Sequence, residues 1–267
     1  MKGPKLVTLI VIGVFFAPLA WGGPGLVNGH HDFTANNTGP HSAYTPGTAL
    51  DADGNPIANV GLCTYCHTPH KAQSTQLLWN HKLSAQTFSY TDATTTAGTT
   101  LPSFVGTWNG ASAKCLSCHD GSVAIGDVAV FIEEPHDEAS GNSLDPTRMT
   151  AIDGGNFVIA NSTTGSLDGN HPVAVPYPFG QASSTYNSIT TGPSAALTEF
   201  VAAPTGVRLY TDNGAGSISS GGTAGQSGIE CSSCHDPHDV KSVADLFLLG
   251  NLDGSDPSYL CLKCHIK

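Results

Sequence analysis

The sequence predicts a mostly irregular chain, with short helices at four C-x-x-C-H turns and a few short strands, folded around bulk that its own side chains do not supply. Three observations lead there. Only 7% of the residues are aromatic and 17 are proline, so side chains alone would build a thin core. Gly, Ser and Thr crowd stretches such as "TDATTTAGTT" and "TDNGAGSISSGGTAGQSG", which read as loop. All eight cysteines fall into four copies of one five-residue motif.

The chain begins like a secretory signal. Lys2 and Lys5 precede the apolar run "LVTLIVIGVFF", which is too short to cross a bilayer comfortably. Pro18 breaks the run, and the small residues of "AWG" suit cleavage after Gly22. The expectation is a signal over residues 1–22 and one mature domain over 23–267, outside the cytoplasm and with no membrane span; a retained anchor is the alternative. Removing Lys2 and Lys5 leaves 8 basic against 21 acidic residues, a formal charge of −13. So acidic a surface argues against nucleic acid or anionic lipid as a partner. Charged residues are only 12% of the chain, a composition that suits loose loops or a surface packed against copies of itself.

The four motifs are "CTYCH" (Cys63, Cys66, His67), "CLSCH" (Cys115, Cys118, His119), "CSSCH" (Cys231, Cys234, His235) and "CLKCH" (Cys261, Cys264, His265). They are motifs 1 to 4 below. A single C-x-x-C would equally suit a redox dithiol or half a zinc site. Four copies, each followed at once by His behind a secretory signal, point to covalent attachment of c-type haem. Two thiols two residues apart reach the two vinyl groups of a porphyrin, and the next histidine binds the iron. Four haems per chain are expected.

Each iron then needs a sixth ligand, commonly Met or His. Beyond the signal the chain keeps one methionine, Met149, but eight further histidines. Bis-histidine ligation is therefore the default, and it implies lower potentials than a Met ligand would. His238 follows His235 by three residues, across Pro237. Three residues span at most about 10 Å, too little to round a porphyrin and reach the same iron from its far side. His238 should bind a different haem, most simply that of Cys261 and Cys264, the nearest in sequence. "CHTPH" repeats the device with His70. His81 follows Trp79 in "LLWNH", His171 is pinned by Pro172 in "GNHPVAVPY", and His31 lies near Phe33 in "HHDF". His30, His41 and His136 have mostly polar neighbours and read as surface.

Between the motifs, "VAIGDVAVFI", "FVIA" and "VAVPY" read as short strands. "SVADLFLLG" reads as a short helix with Ser242 as N-cap and Gly250 as stop. Haem supplies the missing apolar bulk, so the core is expected to be a haem array.

The blocks "CTYCHTPH", "LLWNH", "CLSCHDGSVAIGD", "NHPVAVPY", "CSSCHDPH" and "CLKCHIK" resemble the tetrahaem c-type cytochromes of metal-respiring bacteria. More narrowly, they resemble the outer-surface tetrahaem cytochromes that polymerise into extracellular filaments, the cytochrome nanowires. The resemblance runs from about residue 31 to the C-terminus. It implies bis-His ligation throughout, little regular secondary structure, and alternating parallel and T-shaped haem pairs. Carried over by position, the distal ligands would come from His31, His70, His81, His171 and His238, five names for four irons. It further implies electron transfer rather than catalysis, with copies of itself, redox proteins or extracellular metal oxides as partners, at the cell surface or beyond. A monomeric periplasmic shuttle is the alternative. A multihaem reductase is a third reading, which the surplus of histidines disfavours because catalysis at haem needs an open coordination position. Asn36 and Asn161 each open a sequon.

Overall fold

The computed structural model describes residues 25–27, 29–33, 62–69, 72, 74, 76–92, 101–123, 128, 130–131, 134–135, 158–190, 194–243, 246–254, 256 and 259–266. The expected signal, His41, His70, His136 and Met149 lie outside them. No helix among the described residues is long and apolar enough to cross a membrane.

Regular elements are short. β1 (Thr87–Phe88) pairs antiparallel with β2 (Phe104–Val105), setting Phe88 opposite Phe104 with ring centres 5.3 Å apart. The helix α1 (Ala111–His119) follows and carries motif 2. β3 (Val130–Phe131) and β4 (Glu134–Pro135) form a second two-stranded pair. β5 (Val175–Pro176) falls within the apolar "VAVPY" run. β6 (Thr185–Tyr186) and β7 (Ile189–Thr190) form a hairpin whose two turn residues, Asn187 and Ser188, both have positive φ (49° and 63°). Such a turn matches the twist of its strands, and Asn tolerates the left-handed region better than most residues. Asn187 is further held by its N–H donating to Asp212 Oδ2 (3.0 Å) and its amide donating to the Ala174 carbonyl (3.2 Å).

β8 (Tyr210–Asp212), β9 (Ile218–Ser220) and β10 (Ser227–Ile229) complete a four-stranded antiparallel sheet in the order β5-β10-β8-β9. It runs directly into α2 (Cys231–Cys234), so the sheet delivers motif 3. A 3-10 turn at Leu260–Lys263 carries motif 4, and motif 1 is a run of turns.

Two small apolar clusters flank α1. One gathers Phe88, Tyr90, Phe104, Leu116, Ala160, Leu167 and Ala174; the other gathers Tyr186, Tyr210 and Ile218. Trp108, just before α1, packs against both. The clusters hold motif 2 against the sheet that presents motif 3.

Three sequence expectations differ from the structure. "FVIA" forms no strand over its described residues 158–160. "SVADLFLLG" is not a helix over its described residues: Leu246 and Phe247 have φ of 61° and 60°, and the segment folds back on motif 3. The amide of Asp236 bonds the Phe247 carbonyl (2.8 Å), and that of Leu249 bonds the Cys234 carbonyl (2.8 Å). Tertiary backbone bonds have overridden local propensity. His30 is half-buried rather than on the surface, edge-on to Phe247 with ring centres 5.4 Å apart.

Gly228 in β10 lies against the face of Tyr186, and a Cβ there would run into the Tyr186 ring. Both residues are buried, so the ring cannot swing into solvent. Gly228→Ala is expected to destabilise the domain by about 1–3 kcal/mol, the usual cost of overpacking a core. A thermal melt of the purified variant reads this as a lowered midpoint.

Candidate haem-iron centres

Each motif is one tight helical turn. The amide of His67 bonds the Cys63 carbonyl (2.8 Å), His235 bonds Cys231 (3.1 Å) and His265 bonds Cys261 (2.8 Å). Residues i, i+3 and i+4 of such a turn share a face, so two sulfurs and an imidazole point the same way. All eight cysteines are unbridged. Burial pushes the Cys66, Cys118 and Cys234 thiols up to about 12. The Cys115 thiol donates to the Cys231 sulfur, which raises the first and lowers the second. Motifs 2 and 3 therefore touch through their leading cysteines.

Motifs 1 and 3 share more than five residues. After motif 1 the chain loops back at Leu77 and Leu78, both at positive φ (61° and 51°), as the chain after motif 3 does at Leu246 and Phe247. Thr68 N bonds Leu78 O (2.9 Å) and Asn80 N bonds Cys66 O (2.9 Å), the counterparts of the Asp236 and Leu249 bonds described above. His67 Nδ1–H donates to the Leu77 carbonyl at 2.7 Å, and His235 Nδ1–H to the Leu246 carbonyl at 2.7 Å. The two segments are an internal structural repeat. Its sequence signal was confined to "CHTPH" and "CHDPH", because backbone bonds carry the rest of it.

The histidines meet in pairs. Ring centres lie 6.3 Å apart for His67 and His238, 6.1 Å for His31 and His119, and 6.3 Å for His171 and His265. An imidazole nitrogen sits about 2.0–2.1 Å from a bound first-row metal. With the ring centre about 1.1 Å behind that nitrogen, two imidazoles on opposite faces of one iron have centres roughly 6.3 Å apart. The three spacings fit that arrangement, and each pair joins a motif's own histidine to one of the sequence candidates.

The rings are also set in the right tautomer. A backbone carbonyl can only accept, so each Nδ1 facing one carries the proton and Nε2 keeps the lone pair for metal. Besides His67 and His235, this holds for His31 on Pro237 O (3.1 Å), His171 on Pro172 O (3.0 Å) and His81 on Lys82 O (2.9 Å). Burial, and then the neighbouring His119, hold His31 down at about 4, so it stays neutral at pH 7, as a ligand must. A haem attached at these motifs would bring its own nitrogen donors, leaving the paired imidazoles to complete the iron's ligand set. Beside motif 1, the buried Tyr65 hydroxyl and Trp79 indole N–H have no acceptor among the described residues, which suits a polar group bound there.

The sequence candidates are thus distributed unevenly. His31, His171 and His238 each face a motif histidine. His238 stands opposite His67 of motif 1 rather than opposite His265 of motif 4, which faces His171. His81 is fully buried and bridged to Val128 after motif 2. The described residues place no imidazole opposite His235, and His70 lies outside them.

A family model described as a doubled CXXCH motif matches residues 224–267, which hold motifs 3 and 4. No curated protein matches the chain. The motifs imply covalently bound haem c. With two attachment sites in one matched segment, the chain has the signature of a multihaem c-type cytochrome and of haem-based electron transfer.

The imidazole planes differ between pairs: 29° for His67 and His238, but 65° for His171 and His265. Near-parallel axial rings donate into the same iron d orbital and split the pair of π-type orbitals; crossed rings leave them nearly equal in energy. The oxidised protein is expected to show both a rhombic low-spin EPR signal and a strongly anisotropic one at higher g. His238→Ala should remove the rhombic signal and produce high-spin iron, while intact-mass measurement still finds every haem attached. His171→Ala should instead remove an anisotropic signal. Unchanged spectra in either variant would exclude that histidine as a ligand.

Proposed function

We propose that the chain is a tetrahaem cytochrome c whose four bis-histidine irons pass electrons along the molecule, as a subunit of an extracellular filament built from copies of itself. The observation that carries the electron-transfer reading is the set of three opposed imidazole pairs at one near-constant spacing. An iron with both axial positions filled exchanges electrons without binding substrate, whereas catalysis needs an open position. Haem supplies a ferric–ferrous couple at each site. The protein residues supply attachment through Cys63, Cys66, Cys115, Cys118, Cys231, Cys234, Cys261 and Cys264, and axial ligation through histidine.

The fourth pair follows from the repeat. His238 is three residues beyond His235 and faces His67; His70 is three residues beyond His67, and we assign it to the iron of His235. This exchange would place the haems of motifs 1 and 3 side by side. The extracellular setting, the filament and acceptors such as metal oxides or redox proteins rest on the resemblance to the surface tetrahaem cytochromes. A low content of charged side chains suits a surface that packs against its own copies.

Spectroscopy of the purified, reduced protein tests the carrier reading. Four low-spin haems that do not bind carbon monoxide are expected; a high-spin signal or rapid carbon monoxide binding would revive the reductase. Negative-stain microscopy of secreted material tests the filament. Dispersed particles of one chain's mass would favour the periplasmic shuttle instead.

A further inference from the structure

Glu230 lies immediately before motif 3 and is buried, 1% exposed. It is the N-cap residue of α2, and its amide donates to Ser233 Oγ (3.0 Å) within that helix. Its carboxylate reaches across to motif 2. There Oε2 accepts the Ser112 amide (2.9 Å) in the first turn of α1, a helix whose own N-cap residue, Gly110, has no side chain to do so. Oε1 accepts the Trp108 indole N–H (3.1 Å) and the Tyr186 hydroxyl (2.6 Å). Gly110 is obligatory, because a Cβ there would collide with both Glu230 and Trp108. Ser112 completes the link, its Oγ accepting the Cys231 amide (3.0 Å). One side chain therefore caps the attachment helices of two motifs, where the Cys115 and Cys231 sulfurs meet.

The donor set indicates the charge. The indole and the amide can only donate, and a carboxylate that only accepts satisfies both. The first turn of α1 favours a negative group, and Lys114 is buried alongside with its ammonium donating to the Trp108 carbonyl (2.7 Å). Burial works the other way, raising the Glu230 pKa, and the Ser112, Tyr186 and Trp108 donors oppose it.

We infer that Glu230 is a positioning residue that fixes motif 2 against motif 3 and holds down the reduction potentials of the two haems attached there. The inference rests on the electron-carrier reading. Reduction adds one electron to an iron and makes or breaks no bond, so a fixed negative charge in a dry site nearby disfavours it.

The test is a redox titration of Glu230→Gln in the intact haem-loaded protein, followed by visible absorption and by EPR of the ferric irons. The substitution keeps the shape and one oxygen acceptor but removes the charge. Two of the four midpoints are expected to move up, with all haems attached by mass and the EPR signals of the His67/His238 and His171/His265 pairs retained. Four unchanged midpoints in a protein that keeps four low-spin haems overturn the inference and leave the carrier reading intact. High-spin iron in the unaltered protein would defeat the carrier reading itself. Should Glu230→Gln not accumulate, Trp108→Phe decides: it keeps the carboxylate and removes one donor, so the same two midpoints should fall. Midpoints that stay or rise in that variant overturn the inference.

Discussion

Two imidazoles that share one iron must face each other across a fixed gap, whatever the chain between them does. The imidazoles that the fold sets face to face come from distant parts of the sequence, His31 with His119, His67 with His238 and His171 with His265, and under the proposed ligation each pair would share an iron. Each pair closes a long loop, and loop closure costs more entropy the longer the loop, though only slowly. Once the ligand positions are tied, the intervening segments need few local bonds of their own. Ligation of this kind would account for strands of two or three residues and apolar clusters of a handful of side chains among the described residues. It would also account for loops so rich in Gly, Ser and Thr, which would not pack unaided.

Where ladders are missing, acidic side chains take over the backbone. Asp236 accepts the amides of Val240 (3.0 Å) and Lys241 (2.8 Å), turning the chain after motif 3 so that His238 projects toward motif 1. Asp120 accepts the amide and hydroxyl of Ser122 just past motif 2, with Ser84 as a further donor. Asp168 gathers the amides of Thr91 (2.6 Å) and Asp92 (3.0 Å) from the far side of a loop. Short acidic side chains are good at this because they bond backbone two or more residues away. Part of the acidic excess is therefore structural.

What could be read from the sequence follows the same division. Covalent chemistry was legible: Cys and His at fixed spacing admit few meanings, and reach alone forbade His238 from its own motif's iron. The identity of its partner was not legible. Nearness in sequence pointed to motif 4, while the fold brings motif 1, because the pairing depends on a repeat written in backbone bonds and positive φ angles rather than in residue types. The segment 242–250 misled for a related reason. Its Ser, Leu and Gly fit a helix locally, but the carbonyls of Leu246 and Phe247 are needed by His235 and Asp236. Glu230 gave no signal at all. A single Glu before a motif is ordinary, and its burial appears only when Trp108, Ser112 and Tyr186 converge on it from other elements.

The repeat carries a consequence for how the molecule holds together. A motif that took both axial ligands from its own segment could mature and fold alone, and could drift relative to its neighbours. Motif 1 is placed differently: the imidazole that faces His67 is His238, from the copy at motif 3. Glu230 then joins motif 3 to motif 2 by a different means, hydrogen bonds and charge. Motif 3 thus meets motif 1 through the facing His238 and His67 rings and motif 2 through the Glu230 carboxylate. It is tied to motif 4 through the short segment that the doubled-motif family describes. Its own sequence, "ECSSCHDPHD", runs the capping residue Glu230, the motif and His238 together without a gap.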